Sequence, residues 1–309
     1  MEHPHRGRGI GLALLSAAGF STLGLFARLI YGEGFAVPAA LAWRFTMASL
    51  FLWIFVIATK RALPKPILPV FLLGLVGFSP QAGLYFALVR ILDPGIASLL
   101  LYLYPSFVVL LGLLAFRRKP GWIRLLALAL SLAGCLVTFW KAGAYPLEGV
   151  LLGVLVALAY AAYLLAGERI LAEVDSISAT TVVMSAAALV YWTISLAGGV
   201  ARVPETPKAW FGVVGVALFA TVLPITTLFA SMRIIGAADT SLVSTLEPVL
   251  TVVLSSLIIG ERFGPAQLAG GALILAAVLA IDLAPRLAAL TARRPAMETK
   301  KEGREGRGE

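Results

Sequence analysis

The sequence predicts an all-α integral membrane protein with ten transmembrane helices, arranged as two inverted five-helix repeats around a central cavity. Three observations carry that prediction. First, 60% of the residues are hydrophobic and 13% charged, with a mean hydropathy of +0.94, too little polar surface to cover a water-soluble body of this size. Second, ten apolar runs alternate with basic, Pro-rich or Gly-rich punctuation, each near the roughly 20 residues a helix needs to cross about 30 Å of hydrocarbon. Third, Phe86 to Leu110, FALVRILDPGIASLLLYLYPSFVVL, is echoed without a gap 143 positions later by Phe229 to Val253, FASMRIIGAADTSLVSTLEPVLTVV. Phe86, Arg90, Ile91, Ser98, Leu99 and Pro105 thus have mates at Phe229, Arg233, Ile234, Ser241, Leu242 and Pro248. Internal duplication in so apolar a chain is a mark of carriers, which hold their substrate between the two copies.

In chain order, a polar leader at 1–8 precedes a first repeat at 9–140, with spans at 9–30, 37–59, 67–90, 94–116 and 120–140. The second repeat, 141–285, has spans at 148–168, 177–200, 209–233, 238–260 and 264–284, and a basic tail follows at 286–309. The runs are continuously apolar rather than alternating, so they read as helices and not as strands of an outer-membrane barrel. Arg6 and Arg8 before an apolar stretch also fit a signal peptide. The run is longer than a signal core, however, and its counterpart at Gly149 lies mid-chain, so it is read as span 1. Basic residues set the orientation. Arg6, Arg8, Lys60, Arg61, Lys65, Arg117, Arg118, Lys119, Arg124, Arg169, Arg233 and the tail fall on the side of both termini, against Arg28, Arg90, Lys141, Arg202, Lys208 and Arg262 opposite. The excess places both termini in the cytoplasm. Five spans per copy is an odd number, so the copies are inverted.

Several function classes drop out. The net charge of +9 is explained by this loop asymmetry and by the tail, so no nucleic acid is expected as a partner. The tail beyond Arg293 has almost no apolar content and is expected to be disordered beside membrane lipid. The two histidines, His3 and His5, lie in the leader, and acidic residues within the spans are sparse, so neither a metal nor a membrane metalloenzyme is expected. No phosphate-binding Gly-rich loop is present, no cofactor is expected, and any transport is gradient-driven. The single cysteine, Cys135, leaves nothing for an intrachain disulfide.

The candidate site residues are polar groups within the spans. Arg44 and Glu247 are the ionisable residues furthest from span ends, each costing on the order of 3 kcal/mol at depth if unpaired. Their depths differ by roughly 6 Å, which a guanidinium stem can cross. They read as gating or coupling partners, or as structural locks. Ser98, Tyr102 and Ser106 share a face of span 4, and Thr240, Ser244, Glu247 and Thr251 one of span 9. Gln81 and Tyr85 of span 3, Tyr160 and Tyr163 of span 6 and Thr227 of span 8 complete the candidate cavity lining. Such stripes face either the bundle interior or neighbouring helices. Pro80, Pro105, Pro224 and Pro248 fall inside spans 3, 4, 8 and 9 as expected kinks. Spans 5 and 10, with Gly134, Gly270 and Gly271, read as packing helices or as the seam of a homodimer.

The run Ala42-Trp43-Arg44-Phe45, the stretch Ser241 to Val249 around Glu247-Pro248, and Gly260-Glu261-Arg262 resemble the drug/metabolite transporter superfamily, and more narrowly its EamA-type exporters. The resemblance covers about residues 9 to 284; the first copy departs from it with Tyr104 in the place of Glu247. It implies no enzyme but a secondary carrier of the bacterial inner membrane, exporting small molecules by alternating access. The whole chain is most similar to the branch exporting neutral and aromatic amino acids, which suits an aromatic, weakly charged cavity. A phosphate-bearing substrate would want paired cations, and Arg44 stands alone. The alternatives are a proton-coupled multidrug or nucleoside exporter and, from another class, a membrane-embedded enzyme or scaffold.

Overall fold

The computed structural model describes residues 6–116, 122–138, 145–171 and 174–280. The first five residues, Arg117 to Lys119, Lys141 and the basic tail lie outside the described residues. Among those described, seven helices are long and apolar enough to cross a membrane, and three shorter apolar helices, Leu125–Thr138, Glu247–Ile259 and Pro265–Ala280, bring the number to ten. Large apolar side chains such as Ile57, Val76, Leu136 and Leu257 stay exposed on their outer surfaces, as a lipid-facing belt requires.

In the first copy, α1 (Arg6–Ser21) and α2 (Leu23–Gly32) form span 1, and α3 (Val37–Ala58) forms span 2. Span 3 is α4 (Ile67–Leu72) and α5 (Ser79–Ile91), and span 4 is α6 (Pro94–Leu101) and α7 (Tyr104–Phe116). Span 5 is α8 (Trp122–Thr138). The second copy follows with α9 (Leu147–Ile170), α10 (Ser176–Ala197), α11 (Pro207–Ala217), α12 (Leu223–Ser244) and α13 (Glu247–Leu254), closed by α14 (Pro265–Ala280). The helix α12 cannot be straight. Nine residues of straight helix would separate Ser231 from Thr240 by about 13 Å, yet their hydroxyls lie 2.9 Å apart. The chain therefore doubles back between them, where the first copy instead ends α5 and starts α6.

The four intramembrane prolines occupy matching places in the two copies. Pro80 and Pro224 are the second residues of α5 and α12, each just after a π turn, Leu73–Phe78 and Leu218–Val222. A proline ring strikes the carbonyl four residues back in α geometry, and the wider turn moves that carbonyl aside. Hydroxyls serve the same turns, Ser79 donating to the Gly74 carbonyl at 2.7 Å and Thr221 to that of Val216 at 2.9 Å. Pro105 and Pro248 are the second residues of α7 and α13, after two-residue interruptions at 102–103 and 245–246. Spans 4 and 9 thus each tighten to a short turn at the proline, with the Leu103 N–H donating to the Leu100 carbonyl and the Leu246 N–H to that of Val243, both at 3.1 Å.

Helix pairing follows the duplication. The pair α1 with α12 has its counterpart in α5 with α9; α3 packs on α10 and α6 on α13. Gly134 of α8 lies against the Gly270 carbonyl of α14, where an added Cβ would stand 2.6 Å from it. The glycines that predict packing helices or a dimer seam thus meet each other within one chain. The loops show the inversion directly. The loop after span 2 pairs with the loop after span 6 through Arg61 and Asp175 at 2.6 Å. On the opposite face, Glu33 after span 1 meets Lys208 after span 7 at 3.0 Å, and Glu261 after span 9 meets Gly95 after span 3. Two copies inserted in the same sense would put the loops after spans 2 and 7 together instead.

Candidate substrate cavity

Where the interrupted spans 4 and 9 meet, a cavity of ≈ 290 Å³ opens between the copies. Aromatic rings make up much of its wall: Tyr85 from α5, Tyr102 at the first interruption, Tyr104 from α7, Tyr160 and Tyr163 from α9, with Phe20, Phe78 and Phe229. The rings support one another, Tyr104 lying edge-on to Tyr160 at 4.8 Å between centroids and Tyr160 stacking on Tyr163 at 6.1 Å. Gln81, Thr180, Thr221, Arg44 and Glu247 supply the polar part of the wall.

Tyr102 ties the two interruptions together. Its hydroxyl lies 3.2 Å from the Ser244 carbonyl and 3.0 Å from Glu247 Oε2, and donates towards both. The Ser244 carbonyl ends α12, so one phenol serves an orphan helix-end acceptor in the other copy. Glu247 itself opens α13, where its charge faces the positive end of the helix dipole.

Arg44 is 5% exposed. Its Nε donates to the Thr221 hydroxyl at 3.2 Å, and its guanidinium lies over the rings of Phe45 and Phe86, 4.9 and 5.2 Å from their centroids. No ion pair joins Arg44 to Glu247 among the described residues, although both line the same cavity. Of the other residues predicted from sequence, Gln81, Tyr85, Tyr102, Tyr160 and Tyr163 line the cavity, whereas Thr227 and Ser244 do not. Thr227 donates to the Leu223 carbonyl at 2.8 Å, and Ser244 to that of Thr240 at 2.9 Å. Lining residues that the sequence reading did not reach include Thr180, Val183 and Met184 of α10. Span 7 does carry polar residues at helical spacing, Ser178, Thr181 and Ser185, with Thr180 beside them; these were the available signal, and the packing of α10 on α3 sets which side chains turn inward. Tyr104 was legible in principle as the repeat mate of Glu247.

The cavity is lopsided. Leu171, Ala179 and Thr180 carry its lining to within about one helical turn of the Asp175 face, whereas no lining residue comes that near the Glu33 face. The Glu33 face is latched. Both Glu261 oxygens accept amides at the start of α6, from Gly95 at 3.1 Å and Ile96 at 3.3 Å. Arg28 pairs with Asp93 at 2.6 Å, and Trp43 donates to the Arg202 carbonyl at 2.7 Å while packing edge-on to Trp192 and Trp210. Burial pushes the Glu261 carboxyl above the usual range, against the lowering effect of the Gly95 amide. The Thr206 hydroxyl, helped by Lys208, holds Glu33 below it. At the Asp175 face the order is different. Burial works to raise the Asp175 pKa, but the Ser178 amide and hydroxyl and the Arg61 guanidinium outweigh it and hold the carboxyl low.

A duplicated, inverted ten-helix body with a cavity at paired helix interruptions defines a secondary-carrier architecture. The chain belongs to the EamA-like transporter family, which it matches twice, over residues 7–140 and 147–282, and it is a multi-pass membrane transporter. It is 27% identical to the uncharacterized transporter YdfC of Bacillus subtilis (strain 168) over 80% of this chain and 82% of that one. A second relative is the chloramphenicol-sensitive protein RarD of Pseudomonas aeruginosa, 29% identical over 59% of each chain. One crystal structure shares the fold at a TM-score of 0.63 and 20% identity, covering 91% of this chain and 98% of that one.

Proposed function

We propose that this protein exports neutral and aromatic amino acids and related small metabolites across the bacterial inner membrane, by alternating access between its two copies. The observation that carries this reading is the cavity wall: Tyr85, Tyr102, Tyr104, Tyr160 and Tyr163 offer ring faces and hydroxyls to an amphipathic solute. A polyanion would meet one buried cation only. With both termini in the cytoplasm, the cavity reaches the cytoplasmic side and the latched face looks outward, so substrate loads from within and the latches part to release it. Arg44 and Glu247, on opposite copies, are placed to sense that exchange.

Uptake of labelled phenylalanine, threonine and methionine into proteoliposomes, with and without an imposed proton gradient, tests the assignment. Saturable, mutually competing uptake supports it; no uptake of any of the three by folded protein rejects it. A second reading, a proton-coupled exporter of drugs or other metabolites, is favoured by the carboxyl of Glu247 in the cavity, and RarD is named for chloramphenicol. On that reading Glu247→Gln abolishes accumulation against a gradient and leaves exchange intact.

A further inference from the structure

We infer that Arg44 and Glu247 are the two poles of a site for a dipolar ligand: Arg44 receives the α-carboxylate, Glu247 the α-ammonium, and the tyrosine rings hold the side chain. This rests on the amino-acid reading above and deepens it from a solute class to a binding pose.

Arg44 carries most of the inference. It is a cation with its side chain almost wholly enclosed, 5% exposed, and a cation at such depth is retained only when something answers its charge. Two aromatic rings answer it in part, but among the described residues no carboxylate does. Nε is held by Thr221, while Nη1 and Nη2 donate to no acceptor among the described residues and are not sealed within the packing. They therefore abut the cavity that Arg44 lines. The rings of Phe45 and Phe86 lie 4.9 and 5.2 Å from the guanidinium carbon and use none of its N–H donors. The N–H donors of a guanidinium form the fork that binds a carboxylate through two parallel hydrogen bonds.

Glu247 is the complementary case. Tyr102 engages Oε2, and Oε1 has no hydrogen-bond partner among the described residues and is not sealed away. Arg44, Tyr85 and Glu247 line the same cavity. A single cation and a single carboxylate, unpaired with each other in one aromatic cavity, match a monocarboxylate zwitterion in number and in sign. A phosphate dianion leaves charge unanswered at both poles, and a simple organic cation leaves Arg44 bare.

The test is calorimetric binding to the purified full chain of three probes: phenylalanine, phenylalaninamide, which lacks the carboxylate, and 3-phenylpropanoate, which lacks the ammonium. The parent should bind phenylalanine at least about tenfold more tightly than either analogue, in line with the strength of charge-assisted hydrogen bonds. Arg44→Gln should lower phenylalanine affinity to that of the amide while leaving the amide unchanged, and Arg44→Lys should recover part of the loss. Glu247→Gln should do the same with respect to 3-phenylpropanoate. Equal binding of all three probes by the parent overturns the pose and needs no variant to fold. Undiminished discrimination in a folded Arg44→Gln protein overturns it as well, and both results leave amino-acid transport standing. Failure of the parent to bind any of the three overturns the pose and the amino-acid reading together.

Discussion

At the scale of single residues, Tyr102 does the most with one atom. Replacing it with phenylalanine keeps the ring against Tyr104 but strips the donor shared by the Ser244 carbonyl and Glu247. Acceptors left unserved in a buried site cost about 1–3 kcal/mol, so Tyr102→Phe should lower the melting temperature of the detergent-purified protein. Tyr160→Phe is the control: among the described residues its hydroxyl has no hydrogen-bond partner to lose, and stability should be unchanged. Asp175 adds a pH dependence. Its carboxyl caps α10 through the Ser178 amide and pairs with Arg61, and its pKa is depressed in the fold. A depressed carboxylate pKa stabilises the folded state above the unfolded value of about 3.9, and the contribution is lost as the pH falls through the folded value. The stability gap between parent and Asp175→Asn should therefore be widest near neutral pH and should close in acid. Residues of this kind were only partly legible. Tyr102 and Glu247 stood out as polar groups inside apolar runs, but that the two touch was invisible, because their 145-residue separation is bridged only by the helix pairing.

Elements make contact here through glycine. Gly19 of α1 faces α12 so closely that an added Cβ would stand 2.7 Å from the Phe219 carbonyl oxygen and 2.7 Å from Pro224. Backbone cannot yield as a flexible side chain does, and overpacking costs typically about 1–3 kcal/mol. Gly19→Ala should therefore be destabilising in a thermal melt, whereas Gly11→Ala, on the same helix with open space around it, should not. Gly19 also lies beside the π turn of span 8, so this seam and the helix interruption share one place. A proline in an apolar run signals some disturbance of the helix, and that much was readable at Pro80, Pro105, Pro224 and Pro248. Its form was not. Two of the four follow π turns and two follow tightened turns with i→i+3 bonds, a difference set by the carbonyls and hydroxyls available in the folded neighbourhood. The Glu261 cap on α6 is an element-level contact of the same type: its two acceptor oxygens satisfy N–H groups that the first turn of any helix leaves open.

Across the whole molecule, the two faces are distinguished by which loops they gather. If the termini are cytoplasmic, a single cysteine placed at exposed Ala201 should react with a membrane-impermeant maleimide in intact cells, and one at exposed Ala62 only after permeabilisation, both in a Cys135→Ser background. The reverse pattern would invert the orientation and with it the direction in which the cavity faces. The sequence by itself determined the class of fold. Apolar run length, the 143-residue echo and an odd number of spans per copy are one-dimensional quantities, and the bilayer leaves helices as the way to satisfy their backbones. It also nominated most of the polar cavity wall, since an intramembrane polar side chain has few other places to go. Only the tertiary structure decided that α10 joins the wall, that Thr227 and Ser244 turn to their own backbones, and that Arg44 is held by Thr221 and two rings rather than by Glu247. Each of those outcomes depends on which helix lies across from which, and that is fixed by close packing between distant segments, which no local pattern of residues records.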